Sequence, residues 1–302
     1  MKVAVVGVVG RTNAGKSTLV NAIVGEKVSI VSPVEQTTRN TVRAILSERR
    51  GQIVLLDTPG LHKAIGVLGR LLNKMARRSA EGTDITCVVF DASCEPRLED
   101  IGWMERVAKQ CPQKAVFVLN KADKAPFYEV EYRQAFNDAM QAFSAGKVEP
   151  HWVKAVSLES SGVKDVVDKF FELSDEGEAL FDEDIITDYP RKLTIADVVR
   201  EKYIKRLFQE IPHELGIVVR SIEETPSRWN VKVDVLVNRD SQKPMAIGKG
   251  ASVIKAVRLA AERELKKIYD VKVALALNVK VEREWMKNER LLAEMGYLGG
   301  LV

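Results

Sequence analysis

The chain has 302 residues, 46% of them hydrophobic and 29% charged, which suits about two globular domains and excludes a disordered or fibrous protein. The net charge of +4 is unevenly spread. From Ile185 onward 22 Lys/Arg face 16 Asp/Glu, of totals of 46 and 42, leaving 24 against 26 before it. The C-terminal part therefore has the charge that a polyanion-binding domain needs. Cys87, Cys94 and Cys111 have no metal-ligand spacing and, being odd in number, form no disulfide framework; they read as thiols in a reducing cytosol. No apolar stretch approaches the ~20 residues that span a bilayer. The start, MKVAVVGVVG, runs straight into the glycine-bounded stretch Gly10–Gly15 and a helical segment, so it reads as a strand rather than a signal peptide.

In chain order, Val3–Val9 is a predicted buried strand and Lys16–Val24 a helix. Four further apolar runs each end in polar residues: Ile53–Leu56 in Asp57-Thr58-Pro59-Gly60, Ile85–Phe90 in Asp91-Ala92-Ser93, Ala115–Leu119 in Asn120-Lys121, and Trp152–Val156 in Ser157. Helical segments, such as Leu68–Ala80 and Leu98–Cys111, separate them. This pattern predicts an α/β domain with a mostly parallel sheet and helices on both faces. Ligands bind such sheets at the strand ends where the polar residues lie. Glu172–Asp188 is acidic and leads to Tyr189-Pro190, a helix end plus linker. The expected organisation is this α/β domain over 1–173, a linker over 174–190 and an α+β domain over 191–302. In the latter, Ile195–Gln209 reads as a helix, Leu215–Ile222 and Asn230–Asn238 as strands, Ser252–Tyr269 as a long helix, Lys272–Val281 as a strand and Glu284–Met295 as a last helix.

Gly10-Arg11-Thr12-Asn13-Ala14-Gly15-Lys16-Ser17 matches G-x-x-x-x-G-K-S/T. The glycines let backbone N–H groups wrap a phosphate, and the next helix presents its positive end. Gly10, Asn13, Ala14, Gly15, Lys16, Ser17 and Thr18 are the expected phosphate-binding residues, with Lys16 on the β/γ-phosphates and Ser17 on Mg²⁺. Asn120-Lys121-Ala122-Asp123 matches N-K-x-D and selects the base. The Asp123 carboxylate accepts from guanine N1–H and the exocyclic amine, and adenine lacks that donor pair. Ser157 and Leu158 belong against the base, with Leu158 replacing the usual alanine. Asp57 positions Mg²⁺, and the Gly60 N–H faces the γ-phosphate. Thr38, or failing it Thr37, is the switch threonine that meets Mg²⁺ when the γ-phosphate is present; Asp57, Pro59, Gly60 and Leu61 form the second switch.

The set GRTNAGKS, QTTR, DTPGLH and NKAD, with FDEDIITDYPRKLTIADVVREK and NERLLAEMGY toward the C-terminus, resembles the Era branch of translation-factor-like GTPases over essentially the whole chain. The resemblance implies a GTPase domain joined to a type II KH domain, and action on the small ribosomal subunit through the 3′ end of its rRNA. It implies a cytoplasmic monomer, with peripheral association to the inner face of the cell membrane as a family trait not visible in these residues. Ras-like enzymes place a water-orienting glutamine after the DxxG glycine. Here Leu61 cannot orient water, so slow intrinsic hydrolysis is expected. Asn13 matches the asparagine that accompanies K⁺ activation in related GTPases, where the cation acts as an arginine finger does; its other reading is a loop-stabilising side chain.

KH domains clamp the backbone of four nucleotides with a G-x-x-G loop, which the resemblance places between a strand and a helix. Here the loop reads Gly248-Lys249-Gly250-Ala251, with alanine at the fourth position. Lys249, Gly250 and Lys255 are expected RNA contacts, and Ile247 is expected to stack or pack. A second reading remains open at this level: a GTP-sensing module whose C-terminal domain meets protein or anionic lipid, since lipid also attracts basic surfaces.

Overall fold

A computed structural model describes residues 1–31, 39–59, 68, 72, 82–143, 146, 148–207 and 214–297. It divides into two compact units, with the chain passing from the first to the second between Asp188 and Tyr189.

In the first unit β1 (Lys2–Val9) lies between β3 (Gly51–Asp57) and β4 (Ile85–Asp91), parallel to both; β5 (Ala115–Asn120) and β6 (His151–Ala155) continue the sheet in parallel. β2 (Val42–Glu48) closes the other edge antiparallel to β3, in the order β2-β3-β1-β4-β5-β6. The central strands are apolar on both sides because both faces are covered. Ile85, Cys87 and Val89 of β4 pack into one core with α1 (Lys16–Val24) and α4 (Val163–Leu173). Val88 and Phe90 turn the other way, toward Trp103 of α2 (Leu98–Gln110) and Tyr132 and Phe136 of α3 (Glu129–Phe143). Of the helix expected over Leu68–Ala80, Leu68 and Leu72 are buried helical residues and the others lie outside the described ones.

The acidic stretch expected as linker is strapped to this unit. β7 (Asp175–Glu176) pairs antiparallel with the start of β1. Gln52 Oε1 accepts from the backbone N–H of Leu180 (2.8 Å) and Phe181 (3.0 Å). Ile45 N–H donates to the Ile186 carbonyl at 2.8 Å. These bonds satisfy peptide groups that a free linker would leave to water.

The second unit runs α5 (Arg191–Ile204), β8 (Gly216–Glu224), β9 (Arg228–Val237), α6 (Gln242–Ile247), α7 (Ser252–Tyr269) and β10 (Lys272–Val281), with sheet order β10-β9-β8. β8 is antiparallel to β9, and β10 parallel to it. Val231, Val233, Val235 and Val237 point into the core with α5 and α7, as strand alternation requires. The opposite face is covered at β8 by the C-terminal segment, a 3₁₀ turn (Trp285–Lys287) and α8 (Glu289–Glu294). A Cβ at Gly216 would lie 2.8 Å from Met295 Cε and 3.3 Å from the Trp285 ring. Among the described residues no helix is long and apolar enough to cross a membrane.

Most boundaries shift by a residue or two, and three differences have a visible local cause. α5 starts at Arg191 because Pro190, extended at φ −60° and ψ 132°, fits a helix entrance. The last helix is split at Asn288, whose Oδ1 accepts from Leu291 N–H and starts a new helix. The Gly248 loop follows a helix rather than a strand. Gln242 Oε1 accepts from the N–H groups of Asn238 and Arg239 (both 2.9 Å), which ends β9 early and opens α6.

Candidate nucleotide site and RNA loop

The phosphate loop joins β1 to α1. Gly10 is at φ +145°, and a Cβ there would lie 2.3 Å from the Val89 carbonyl oxygen. Gly15 is at φ +102°, and its Cβ would lie 2.1 Å from Asn120 Nδ2. Asn13 is also left-handed, at φ 61°, a region asparagine tolerates better than most residues. Gly15 at the N-cap offers no capping side chain, and no acidic residue occupies the first turn of α1. A helix start of this kind suits an anion. Lys16 is buried; its Nζ donates to the carbonyls of Arg11 (2.9 Å) and Gly10 (3.2 Å). Burial lowers its pKa to about 8, with Asp57 opposing the shift.

Asp57 ends β3, fully buried. Burial raises its pKa against the lowering effects of Ser17, Lys16 and Ser29. Its two oxygens nevertheless form no full hydrogen bond among the described residues. A buried carboxylate so placed, near the Ser17 hydroxyl, is a donor set that fits a hard divalent cation. Thr58 fixes the strand end, its Oγ1 donating to the Val8 carbonyl at 2.9 Å, and Pro59 is buried beside it. Thr37, Thr38, Gly60 and Leu61 lie outside the described residues.

Asn120, at the end of β5, joins three loops. Its Nδ2 donates to the Ala14 carbonyl (2.9 Å), and its Oδ1 accepts from Ser157 N–H (3.1 Å) and Oγ–H (2.8 Å). The phosphate loop, the N-K-x-D turn and the loop after β6 are thereby held at one end of the sheet. Asp123 is exposed and Leu158 is 85% exposed.

Sequence reasoning missed an ion-pair network behind these loops. Arg11 is buried, with its guanidinium 3.0 Å from Asp100 and 3.1 Å from Asp91. Lys121 Nζ is 2.6 Å from the same Asp91 oxygen. Burial would lower the Arg11 pKa, and Asp100, Cys94 and Asp91 together raise it instead. Burial likewise works to raise Asp91, but Lys121, Ser93 and Arg11 pull it below the usual carboxylate range. Asp91 thus ties the phosphate loop to the base-reading turn. The one visible signal was its place at the end of an apolar run.

In the second unit Gly248 is at φ +78°, and a Cβ there would meet Val253 Cγ2 at 2.6 Å and Val253 N at 2.7 Å. Gly250 (φ 60°) and Ala251 (φ 62°) follow, both left-handed. Ala251 thus holds a backbone conformation that glycine adopts more readily. Lys249, Gly250 and Lys255 are exposed, while Ile247 is half-buried against the unit's core.

Residues 5–121 match the family of 50S ribosome-binding GTPases, and residues 210–286 match the KH domain. A GTPase Era from Rippkaea orientalis is 35% identical over 294 residues, covering 97% of this chain and 91% of the relative. One from Treponema denticola is 36% identical over 303 residues, covering 98% and 100%. Among solved structures, an Aquifex aeolicus Era variant bound to GDP·AlF4⁻ superimposes with a TM-score of 0.89 at 31% identity, covering 98% of this chain and 99% of that one. A complex of Era with MgGDPNP and nucleotides 1506–1542 of 16S ribosomal RNA gives the same figures. With the motifs gathered at one sheet end and a KH domain following them, the chain belongs to the GTPase Era family and is a GTP-hydrolysing enzyme.

Proposed function

We propose that this GTPase is a switch that binds the 3′ end of small-subunit rRNA through its KH domain and acts in assembly of the small ribosomal subunit. The observation that carries the reading is full-length likeness to an Era holding MgGDPNP and 16S rRNA together. Lys16 and the open N–H groups of α1 neutralise the β/γ-phosphates. Ser17 and Asp57 would hold Mg²⁺, which would neutralise charge on the phosphates. Asp123 reads guanine on a turn braced by Asn120, with Ser157 and Leu158 against the base. Thr38 and Gly60 sense the γ-phosphate, and GTP thereby orders the switch segments. With Leu61 where a water-orienting glutamine would stand, intrinsic turnover is slow, and Asn13 is the residue that would hold a K⁺ able to supply the missing positive charge. Gly248, Lys249, Gly250 and Lys255 clamp the RNA backbone, with Ile247 packing beneath. The protein acts as a cytoplasmic monomer, with peripheral contact at the inner membrane face.

The test is binding of the whole protein, loaded with a non-hydrolysable GTP analogue, to a single-stranded oligonucleotide from the 3′ end of 16S rRNA and to a scrambled one. Preference for the native sequence is expected. Equal binding would remove the rRNA role and leave a GTPase whose KH domain meets protein or anionic lipid.

A further inference from the structure

The long helix after the clamp loop carries a second charged surface. Lys255, Arg263, Lys266 and Lys267 of α7 are exposed, and Leu259 among them is 46% exposed. At 100° per residue these positions fall within about 120° of arc, and Lys255 to Lys267 spans about 18 Å. None of the four cations has an ion pair or a side-chain hydrogen bond among the described residues. The carboxylates of the same helix are engaged elsewhere. Glu262 accepts from Arg258 (3.3 Å) and from Leu275 N–H (2.9 Å), and Glu264 pairs with Lys202. Among the described residues the exposed stripe is therefore basic along its length, with exposed Asp270 at the helix C-cap beyond it.

Helix stability does not explain it. Lys266 and Lys267 suit the negative C-terminal end of a helix, but Lys255 sits in the opening turns, where a cation is disfavoured and no acidic residue offsets it. Arg263 and Lys267, four residues apart, repel each other. The stripe begins a few residues after Lys249 of the clamp loop, which is also exposed. It is narrow, and its face holds one large apolar residue, whereas a helix lying in a membrane buries a broad apolar face.

We infer that the exposed face of α7 is a phosphate-backbone track that holds the RNA strand beyond the nucleotides gripped by the clamp loop. The inference rests on the proposed RNA reading and adds a second, sequence-independent contact to it. Clamp and track together take a longer strand than the clamp alone.

The experiment compares the whole protein with its Arg263→Gln, Lys266→Gln, Lys267→Gln variant. The probes are a native-sequence RNA of about four nucleotides, enough for the clamp, and one of about twelve that also reaches along the helix. Affinities are read against salt concentration. Removing three phosphate contacts from a single strand lowers the slope of log K against log[salt] by about 2. That loss is expected for the long RNA alone, with the short RNA and the thermal midpoint unchanged. An unchanged long-RNA slope, with both RNAs still bound, overturns the track and leaves the clamp. Failure of both RNAs to bind the unmodified protein overturns the RNA reading itself. Loss of binding to anionic phosphatidylserine vesicles, with long-RNA binding intact, overturns the inference in favour of lipid.

Discussion

Raising the pH from 7 to 9 should weaken nucleotide binding about tenfold, through one side chain. Lys16 is buried, and burial brings its ammonium pKa down to about 8 despite the nearby Asp57 carboxylate. Phosphate oxygens placed against Nζ favour the charged form, so binding raises that pKa. Nucleotide therefore binds with proton uptake wherever the free protein has lost the Lys16 proton. About nine-tenths of the free protein is protonated at pH 7 and about one-tenth at pH 9. The difference is about 1.4 kcal/mol of affinity. Calorimetric titration with GDP between pH 7.5 and 9.5, in buffers of different ionisation enthalpy, measures both the affinity and the protons taken up. The Lys16→Met variant should bind weakly and without this slope. An affinity flat to pH 9.5, or a slope that persists in the variant, would refute the assignment.

Asn120→Ala strands the Ala14 carbonyl and two Ser157 donors, and should cost about 3 kcal/mol of stability in urea unfolding along with GDP affinity. Asp123→Asn exchanges an acceptor for a donor opposite guanine N1–H; competition binding should show guanine preference falling by a hundredfold or more, on the order expected when a buried polar match is lost. Gly248→Ala drives a Cβ to 2.6 Å from Val253 and should abolish oligonucleotide binding while leaving RNA-free GTP hydrolysis at the unmodified rate. Trp285→Ala removes a fully buried ring and its 2.8 Å bond from Nε1 to the Glu214 carbonyl, and should destabilise the KH domain by about 3–5 kcal/mol in thermal unfolding.

What could be read in advance follows from local physics. β4 and β5 are apolar on both faces because helices cover both, so they stand out as continuous runs. α7 and β10 begin and end where sequence reading puts them, since glycines precede the one and the other alternates cleanly. β2 escaped notice: it is an edge strand with Arg43 exposed near its start and a polar end at Ser47-Glu48, and only a few apolar residues mark it. The phosphate loop and N-K-x-D turn are legible because phosphate and guanine demand fixed residue types at fixed spacing. The Arg11–Asp91–Lys121 network is not, because its members are brought together by the sheet and follow no local spacing. The substitution at Ala251 could be seen as a departure, but only the backbone shows that the loop keeps its left-handed turn there.

Coupling of nucleotide state to RNA binding in one molecule defines the proposed switch. Its most direct test is the affinity of the whole protein for the 3′-end oligonucleotide with GDP and with a non-hydrolysable GTP analogue, beside the affinities for the two nucleotides with and without RNA. Linkage requires the two ratios to be equal. RNA is expected to bind more tightly with the GTP analogue, and the analogue to gain the same factor over GDP when RNA is present. Equal RNA affinity in both nucleotide states would contradict the coupling, leaving two activities that merely share a chain.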